Sequence, residues 1–156
     1  MTVVNERSRV PPLDAAALGR LSNALDREGV VAAMLIGSQA RGNPGPLSDV
    51  DIGIWHDPGL DAHGRFDLQL DLAGEITSLL ETDEVDLVLL NNAPPLIRHR
   101  AIREGKRLVE RDHDERVRLE TRAILDYLDT APLRVELGRG VRRRMKEGRF
   151  GRRQSG

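Results

Sequence analysis

The sequence has no cysteine and very few aromatic residues. Its 156 residues include one Trp, one Tyr and two Phe, so that aromatics make up 3% of the chain. Without cysteine the chain forms no disulfides and no thiolate zinc sites, a composition that fits a reducing cytosol. Because hydrophobic residues still make up 39%, we expect an aliphatic core of Leu, Val, Ile and Ala.

Long hydrophobic runs are also absent. No apolar stretch approaches the roughly 18 residues that a membrane span needs, and the N-terminal region shows no signal-peptide hydrophobic segment. We therefore expect a soluble, cytoplasmic protein. The length corresponds to one domain, large enough for a hydrophobic core.

The charge is nearly balanced overall but unevenly distributed. The chain has 24 Lys and Arg against 25 Asp and Glu, yet residues 134–153 hold nine basic and two acidic residues. That segment carries +7, which leaves −8 for the remainder. Such segregation predicts a contact surface for a partner or a phosphate-rich ligand, although a run such as Arg142-Arg143-Arg144 is more often a solvated helix face.

Two acidic residues follow a predicted glycine turn in the first half of the chain. The apolar run Val30–Ile36 predicts a buried strand, and residues 49–55 predict a second one. Side chains alternate along a strand, so Asp49 and Asp51 lie on the same face. Neighbouring carboxylates in a core strand are costly unless a cation neutralises them, and oxygen-only ligands suit Mg²⁺.

The turn between these strands reads Gly37-Ser38-Gln39-Ala40-Arg41-Gly42. Backbone N–H groups at Gly37 and Ser38 are suited to a phosphate, because glycine has no Cβ to obstruct its approach. The Gly-Ser turn alone, or the pair of aspartates alone, is only weak evidence for such a site. Together, with ten residues between Ser38 and Asp49 and a strand on either side, they strongly indicate a metal and phosphate site.

The combination of Gly37-Ser38 with Asp49-Val50-Asp51 resembles the signature of the polymerase-β-type nucleotidyltransferase superfamily. The local sequence, Gly-Ser-Gln-Ala-Arg-Gly with Ser-Asp-Val-Asp-Ile, is similar to that of the minimal bacterial members of this superfamily, the MNT antitoxins of HEPN-domain ribonuclease toxins. The resemblance implies a third carboxylate on a later strand, which Asp86 supplies within the apolar segment 84–90.

The resemblance also implies roles for the site residues. Asp49, Asp51 and Asp86 would be the catalytic and metal-binding acids for two Mg²⁺ ions, and Asp86 would accept the proton of the nucleophile. A further set would bind the nucleotide, ATP in the antitoxins: Gly37, Ser38, Arg41 and Ser48. AMP would then pass to a tyrosine of a HEPN toxin, in a hetero-oligomer that meets nucleic acid only through the toxin.

Other interpretations stay open at this stage. In the alternative interpretation the three acids form a surface cluster that binds no metal. Arg41 is then only solvated or salt-bridged, and Ser48 only caps its turn. The protein is alternatively an antitoxin that neutralises by binding alone, or a nucleotidyltransferase of small aminoglycoside-like molecules. The four histidines share no metal-ligand spacing, so we expect them to be structural or exposed.

The remaining pattern alternates strands and helices, which predicts an α/β fold. The resemblance makes it a polymerase-β-like nucleotidyltransferase fold, with a mixed sheet covered by helices mainly on one face. We expect a helix capped by Asp14 and ended by Gly29. A second helix, from about Gly64 to Leu80, is expected to pack on the sheet through its apolar residues Phe66, Leu70, Ala73, Ile76 and Leu80. Asn91 to Pro95 opens a short helix stopped by Gly105, and 106–110 forms an edge strand or a linker.

The predicted domain organisation has three parts. A nucleotidyltransferase core spans residues 1–111, and a C-terminal helical extension of the same domain spans 112–148. The extension comprises a helix capped by Asp112 or Asp114 and another that starts at Pro132. A basic tail, 149–156, is expected to be disordered.

Overall fold

The computed structural model describes residues 13–41, 49–133, 136 and 139–140, with only the backbone of Ser38. The elements follow one another in the order α1 Ala15–Leu25, β1 Val30–Ile36, α2 Gly37–Ala40, β2 Val50–His56, α3 Ala62–Leu80, β3 Val85–Leu89, a 3₁₀ turn Leu90–Asn92, α4 Pro95–Glu104, β4 Lys106–Glu110 and α5 His113–Asp129.

The four strands form a single mixed sheet in the order β3-β2-β1-β4. Strand β1 pairs antiparallel with β2 on one side and with β4 on the other, whereas β2 and β3 run parallel. This architecture confirms the predicted fold class and the mixed strand directions. The segment 106–110 is thus an edge strand, not a linker.

The larger core lies between the sheet and helices α1 and α3. Alternate residues of the strands point to this side, among them Val30, Ile52 and Leu87. Leu21 of α1 and Leu72 of α3 are fully buried against them. Each such side chain contributes about 1.5–3 kcal/mol when removed from water.

A second, smaller core occupies the opposite face, under helices α4 and α5. It contains Trp55 and Met34 from the sheet, together with Ala101 of α4 and Ala123 of α5. The prediction that helices cover mainly one face was therefore wrong. The sequence of α4 and α5 is strongly charged, and these helices contribute the small residues Ala101 and Ala123 to the core, with Ile102 and Leu119 packed beside them.

Three helices begin where aspartate side chains cap them. Asp14 accepts from the N–H of Ala17 at 2.7 Å, and Asp112 accepts from Glu115 at 3.1 Å, as predicted. Asp61 caps α3 in the same way. Helix α1, however, ends at Leu25 instead of Gly29. Gly29, with φ of 93°, lies in the turn that leads into β1.

The predicted buried face of α3 was also partly wrong. Phe66 and Leu70 are 62% and 60% exposed, whereas Ile76 is buried as predicted, together with Leu68 and Leu72. These three residues recur every four positions and so form one stripe. The helix carries apolar residues on several sides, and only its docking on the sheet selects the buried stripe.

Several predictions concern residues that the structure does not describe. The loop residue Ser48, the basic tail and most of the predicted helix from Pro132 lie outside the described residues. The three-part domain organisation stays a prediction. In the described part of the chain no helix is long and apolar enough to cross a membrane, and the cytoplasmic location stays a prediction.

Candidate active site

The central feature of the site is a pair of aspartates on neighbouring strands. Asp51 of β2 lies opposite Asp86 of β3 in the parallel register. Adjacent strands are about 4.8 Å apart, so the two residues stand side by side on one face of the sheet. Their neighbours Ile52 and Leu87 enter the larger core, which directs both acids to the face that α4 and α5 cover. Only the parallel pairing brings Asp86 to this position.

The third predicted acid, Asp49, immediately precedes β2 and is exposed. It lies two residues before Asp51, as the alternation of a strand requires. The structure thus brings all three predicted acids to the same region, two from β2 and its entry and one from β3.

The acids interact electrostatically. Burial raises the pKa of Asp51 above its ordinary value, and the like charges of Asp86 and Asp49 raise it further. A cation at this position would relieve both repulsions. Among the described residues, no three His, Cys, Asp or Glu side chains are gathered closely enough to form a metal-binding group. The residues still fit Mg²⁺, which usually takes one or two protein carboxylates and completes its shell with water and phosphate oxygens.

Gly37 joins the turn to the acids. Its φ is +71°, a left-handed conformation that side chains other than glycine adopt at a cost. A Cβ built on it would lie 2.5 Å from Oδ2 of Asp51. Glycine is therefore needed here for the backbone conformation and for the position of the carboxylate. The sequence had suggested only that glycine admits a phosphate.

Arg41 follows the short helix α2. Its guanidinium forms an ion pair with Glu104 of α4 at 3.5 Å, and the side chain is 57% exposed. This is the salt-bridged arrangement that sequence analysis had left as an alternative. Exposed pairs of this kind contribute about 0–1 kcal/mol, so the arginine is readily redirected. Its predicted contact with the nucleotide stays a prediction.

One residue of the turn had no role in the sequence analysis. Gln39 is buried, and its Nε2 has no hydrogen-bond partner among the described residues. The only signal that could have drawn attention to it is a long polar side chain inside the Gly-Ser turn. The side chain of Ser38 is not described, so only the position of its backbone in α2 is established.

The histidines take no part in this site. His63 pairs with Asp67 at 3.2 Å, and the rings of His99 and Tyr127 are stacked 3.7 Å apart. His113 contacts Glu110 at 2.8 Å, while His56 is buried at the end of β2. Within the described chain these positions agree with the prediction that they are structural or exposed.

Comparison with known proteins shows which family and which solved structures this chain is similar to. Residues 20–114 match the family model described as Polymerase beta, Nucleotidyltransferase. No curated protein sequence matches the chain.

Three solved structures illustrate the structural similarity. A chain of a toxin–antitoxin complex with AMP-PNP is 25% identical, with a TM-score of 0.62 over 83% of this chain and 98% of the other. A chain of the MntA–HepT toxin–antitoxin complex is 22% identical, with a TM-score of 0.60 over 82% and 98%. A chain from the complex of a tri-AMPylated Shewanella oneidensis HEPN toxin with its MNT antitoxin is 23% identical, with a TM-score of 0.59 over 81% and 96%. The last two similarities establish the fold alone.

Proposed function

We propose, because this chain belongs to the polymerase beta nucleotidyltransferase family, that it transfers AMP from ATP to a tyrosine hydroxyl of a cognate HEPN ribonuclease toxin and thereby acts as its antitoxin. The observation that carries the proposal is the position of Asp51, opposite Asp86 and in contact range of the Gly37 turn. That arrangement gathers a carboxylate pair and a glycine-rich phosphate turn at one point of the sheet.

The reaction is an in-line displacement at phosphorus. The tyrosine oxygen forms a bond to the α-phosphorus of ATP, the bond from that phosphorus to the bridging oxygen breaks, and pyrophosphate leaves. The proton of the hydroxyl passes to a carboxylate, for which we propose Asp86. Because Asp86 is exposed, an incoming hydroxyl can reach it.

Asp49, Asp51 and Asp86 would together hold two Mg²⁺ ions, which supply charge neutralisation at the phosphates and at the attacking and leaving oxygens. The raised pKa of Asp51 supports this role, since its cause includes two like charges that a cation would compensate. The turn would bind the phosphates through the N–H groups of Gly37 and Ser38. Ser48 would contribute its hydroxyl from the adjoining loop.

Arg41 would bind the leaving pyrophosphate. To do so its guanidinium exchanges Glu104 for phosphate oxygens, which it can engage through two parallel N–H donors. The exposure of the pair supports this exchange, because little free energy opposes breaking it.

The partner and the donor nucleotide are proposed from the structural relatives. Three similar chains come from toxin–antitoxin complexes, and one of these complexes contains AMP-PNP, an ATP analogue. In another the HEPN toxin is tri-AMPylated. These complexes support a HEPN toxin as the AMP acceptor, held in a hetero-oligomer.

The test is to incubate the purified chain with Mg²⁺, ATP and its cognate HEPN protein and to measure the intact mass of both proteins. We expect the toxin to gain one or more AMP masses, the gain to vanish with Asp49→Ala, and tryptic peptides to place AMP on tyrosine. Asp71→Ala is the matched control, because Asp71 is an exposed acid on α3, outside the site.

Three outcomes would contradict the proposal. Silencing of the ribonuclease without added mass would mean that the chain acts by occlusion and that its acids are idle in this role. Full transfer by Asp49→Ala would remove the acids from the mechanism. Pyrophosphate release only in the presence of an aminoglycoside would assign the chain to small-molecule acceptors.

A further inference from the structure

The two edge strands of the described sheet differ in their protection against further pairing. Strand β4 carries three charged residues among its five, and its pairing with β1 is interrupted by a register shift. Strand β3 reads Val85-Asp86-Leu87-Val88-Leu89, with one charge, Asp86, and an uninterrupted register with β2. Charges and bulges are features with which proteins block an exposed strand edge. Strand β3 has no bulge and its one charge belongs to the acid site, so its free side can accept another strand.

The backbone of β3 offers hydrogen-bonding groups on this free side. The N–H of Val50 donates to the carbonyl oxygen of Glu84 at 2.9 Å, which fixes the parallel ladder in which Val50 lies opposite Val85. In such a ladder every second residue turns its N–H and C=O groups to the partner strand, and the others turn theirs away. The outward-facing residues, which we call the β3 edge, are Val85, Leu87 and Leu89. Among the described residues their N–H groups have no hydrogen-bond partner.

Helix α3 borders the β3 edge with apolar side chains. Nε2 of Gln69 donates to the carbonyl oxygen of Leu87 at 3.1 Å, which places this face of α3 beside the free side of the strand. Phe66 lies one turn before Gln69 on the same helix face, and Leu70 lies one turn after Phe66. Both of these side chains are more than half exposed. An exposed apolar patch, Phe66 and Leu70, therefore stands next to the unpaired backbone.

The other face of the same strand carries Asp86. Side chains alternate along β3, so that Leu87 enters the larger core under α3 while Asp86 is exposed on the face of the three acids. A strand added at the β3 edge would alternate in the same way, with one set of side chains towards Phe66 and the other towards Asp86. In an antiparallel addition, the residue opposite Asp86 has its Cβ about 4.5–5.5 Å from that of the aspartate. A tyrosine at this position can reach the carboxylates with its hydroxyl.

We propose that the β3 edge is the docking surface for the AMP acceptor. An extended segment of the cognate toxin pairs with β3 as an additional strand, with its tyrosine on the side of Asp86. The residues before and after that tyrosine are apolar and pack against Phe66 and Leu70. In strand addition the backbone hydrogen bonds give affinity and the alternate side chains give specificity. The identity of the occupant rests on the proposed function, in which Asp86 meets a hydroxyl of another chain.

Amide hydrogen exchange measured by NMR tests the pairing without requiring AMP transfer. ¹⁵N-labelled Asp49→Ala protein is exchanged into D₂O without nucleotide, alone and with a saturating amount of the unlabelled cognate toxin. We expect the amides of the β3 edge to exchange roughly ten-fold or more slowly with the toxin present, because each then lies in a hydrogen bond. In the free chain the amides of Asp86 and Val88, which bond to β2, should already exchange slowly.

Variants test the surface through the kinetics of transfer. Val85→Pro removes one outward N–H at the first position of β3, where proline is tolerated, and its control Val85→Ala retains that N–H. Phe66→Ser removes apolar area beside the edge, and its matched control is Leu128→Ser, at a leucine of α5 that is 58% exposed. Val85→Pro and Phe66→Ser should each raise KM for the toxin roughly five-fold or more. They should leave Kd for AMP-PNP with Mg²⁺ unchanged, and the two controls should change neither quantity.

The two measurements separate this inference from the proposed function. Slower exchange at the β3 edge supports the docking even if the wild type transfers no AMP, which would refute only the proposed reaction. Unchanged exchange at the edge with the toxin present overturns the docking even if AMP is transferred, and so does a wild-type KM in both Val85→Pro and Phe66→Ser. Protection that rises with the concentration of the chain alone would assign the edge to a second copy and would also overturn the proposal.

Discussion

Replacing Gly37 by alanine tests the link between the Gly37 turn and the aspartate pair of Asp51 and Asp86. The added methyl group would occupy a point 2.5 Å from Oδ2 of Asp51, well inside the 3.4–4 Å of ordinary contact. At φ of +71° the alanine also adopts a left-handed conformation. The variant therefore strains the backbone and displaces the carboxylate together.

The backbone strain and the displaced carboxylate together set the expected loss of stability and activity. The left-handed conformation costs about 1–2 kcal/mol for a residue with a Cβ. Turning Asp51 away from its rotamer costs about 0.5–1.5 kcal/mol more. The free energy of unfolding should thus fall by roughly 1.5–3.5 kcal/mol, which lowers Tm by about 3–14 °C in a chain of this size. Displacing the carboxylate by about 1 Å should also reduce AMP transfer on the order of 100-fold.

Thermal unfolding followed by circular dichroism measures the first effect, and the rate of mass gain on the toxin measures the second. Gly74→Ala is the matched control, because a Cβ there has no atom within 4 Å. It lies inside helix α3, so alanine should stabilise the fold by about 0.5–1 kcal/mol. If Gly37→Ala melts at or above the wild-type temperature, the close packing of glycine and carboxylate has no energetic consequence and the reasoning is refuted.

Two further predictions concern the charge of the site and the face of α3. Because the pKa of Asp51 is raised in the folded state, ionisation of this carboxyl opposes folding. Relative to Asp51→Asn, the wild type should therefore lose stability as the pH rises from about 3.8 through that raised pKa. In metal-free buffer at pH 7.5 we therefore expect Asp51→Asn to melt above the wild type, and added Mg²⁺ to raise Tm of the wild type only; equal responses to Mg²⁺ would argue against metal binding at Asp51. Leu72→Ala should cost about 2–5 kcal/mol in urea unfolding because its side chain is fully buried, whereas exposed Leu70→Ala should change stability by less than about 0.5 kcal/mol. Comparable losses in the two variants would contradict the buried stripe.

Local patterns predicted the elements well, because their causes are local. The seven-residue apolar run Val30–Ile36 is β1 within the same bounds. Asp14 and Asp112 cap helices as predicted, since a cap depends on one side chain and an N–H three residues later. The period of two along a strand likewise placed Asp49 and Asp51 on one face before any sheet was known.

Patterns could not decide which of several apolar stripes a helix buries. Helix α3 has apolar residues on more than one side, and the packing of α1 and the sheet selected Leu68, Leu72 and Ile76 over Phe66 and Leu70. The second covered face of the sheet was missed for a related reason. Helices α4 and α5 are predominantly polar and contribute small alanines to that core, so their apolar residues alone did not show that they pack on the sheet.

By itself the sequence determined the strand with the two aspartates, the glycine turn before it and the capped helices, because each depends on residues a few positions apart. Only the tertiary structure decided that β3 lies parallel to β2, which sets Asp86 beside Asp51. The same packing brought the Gly37 turn against the carboxylate of Asp51. These contacts join residues far apart in the chain, so they depend on strand order and helix docking, which no local periodicity encodes.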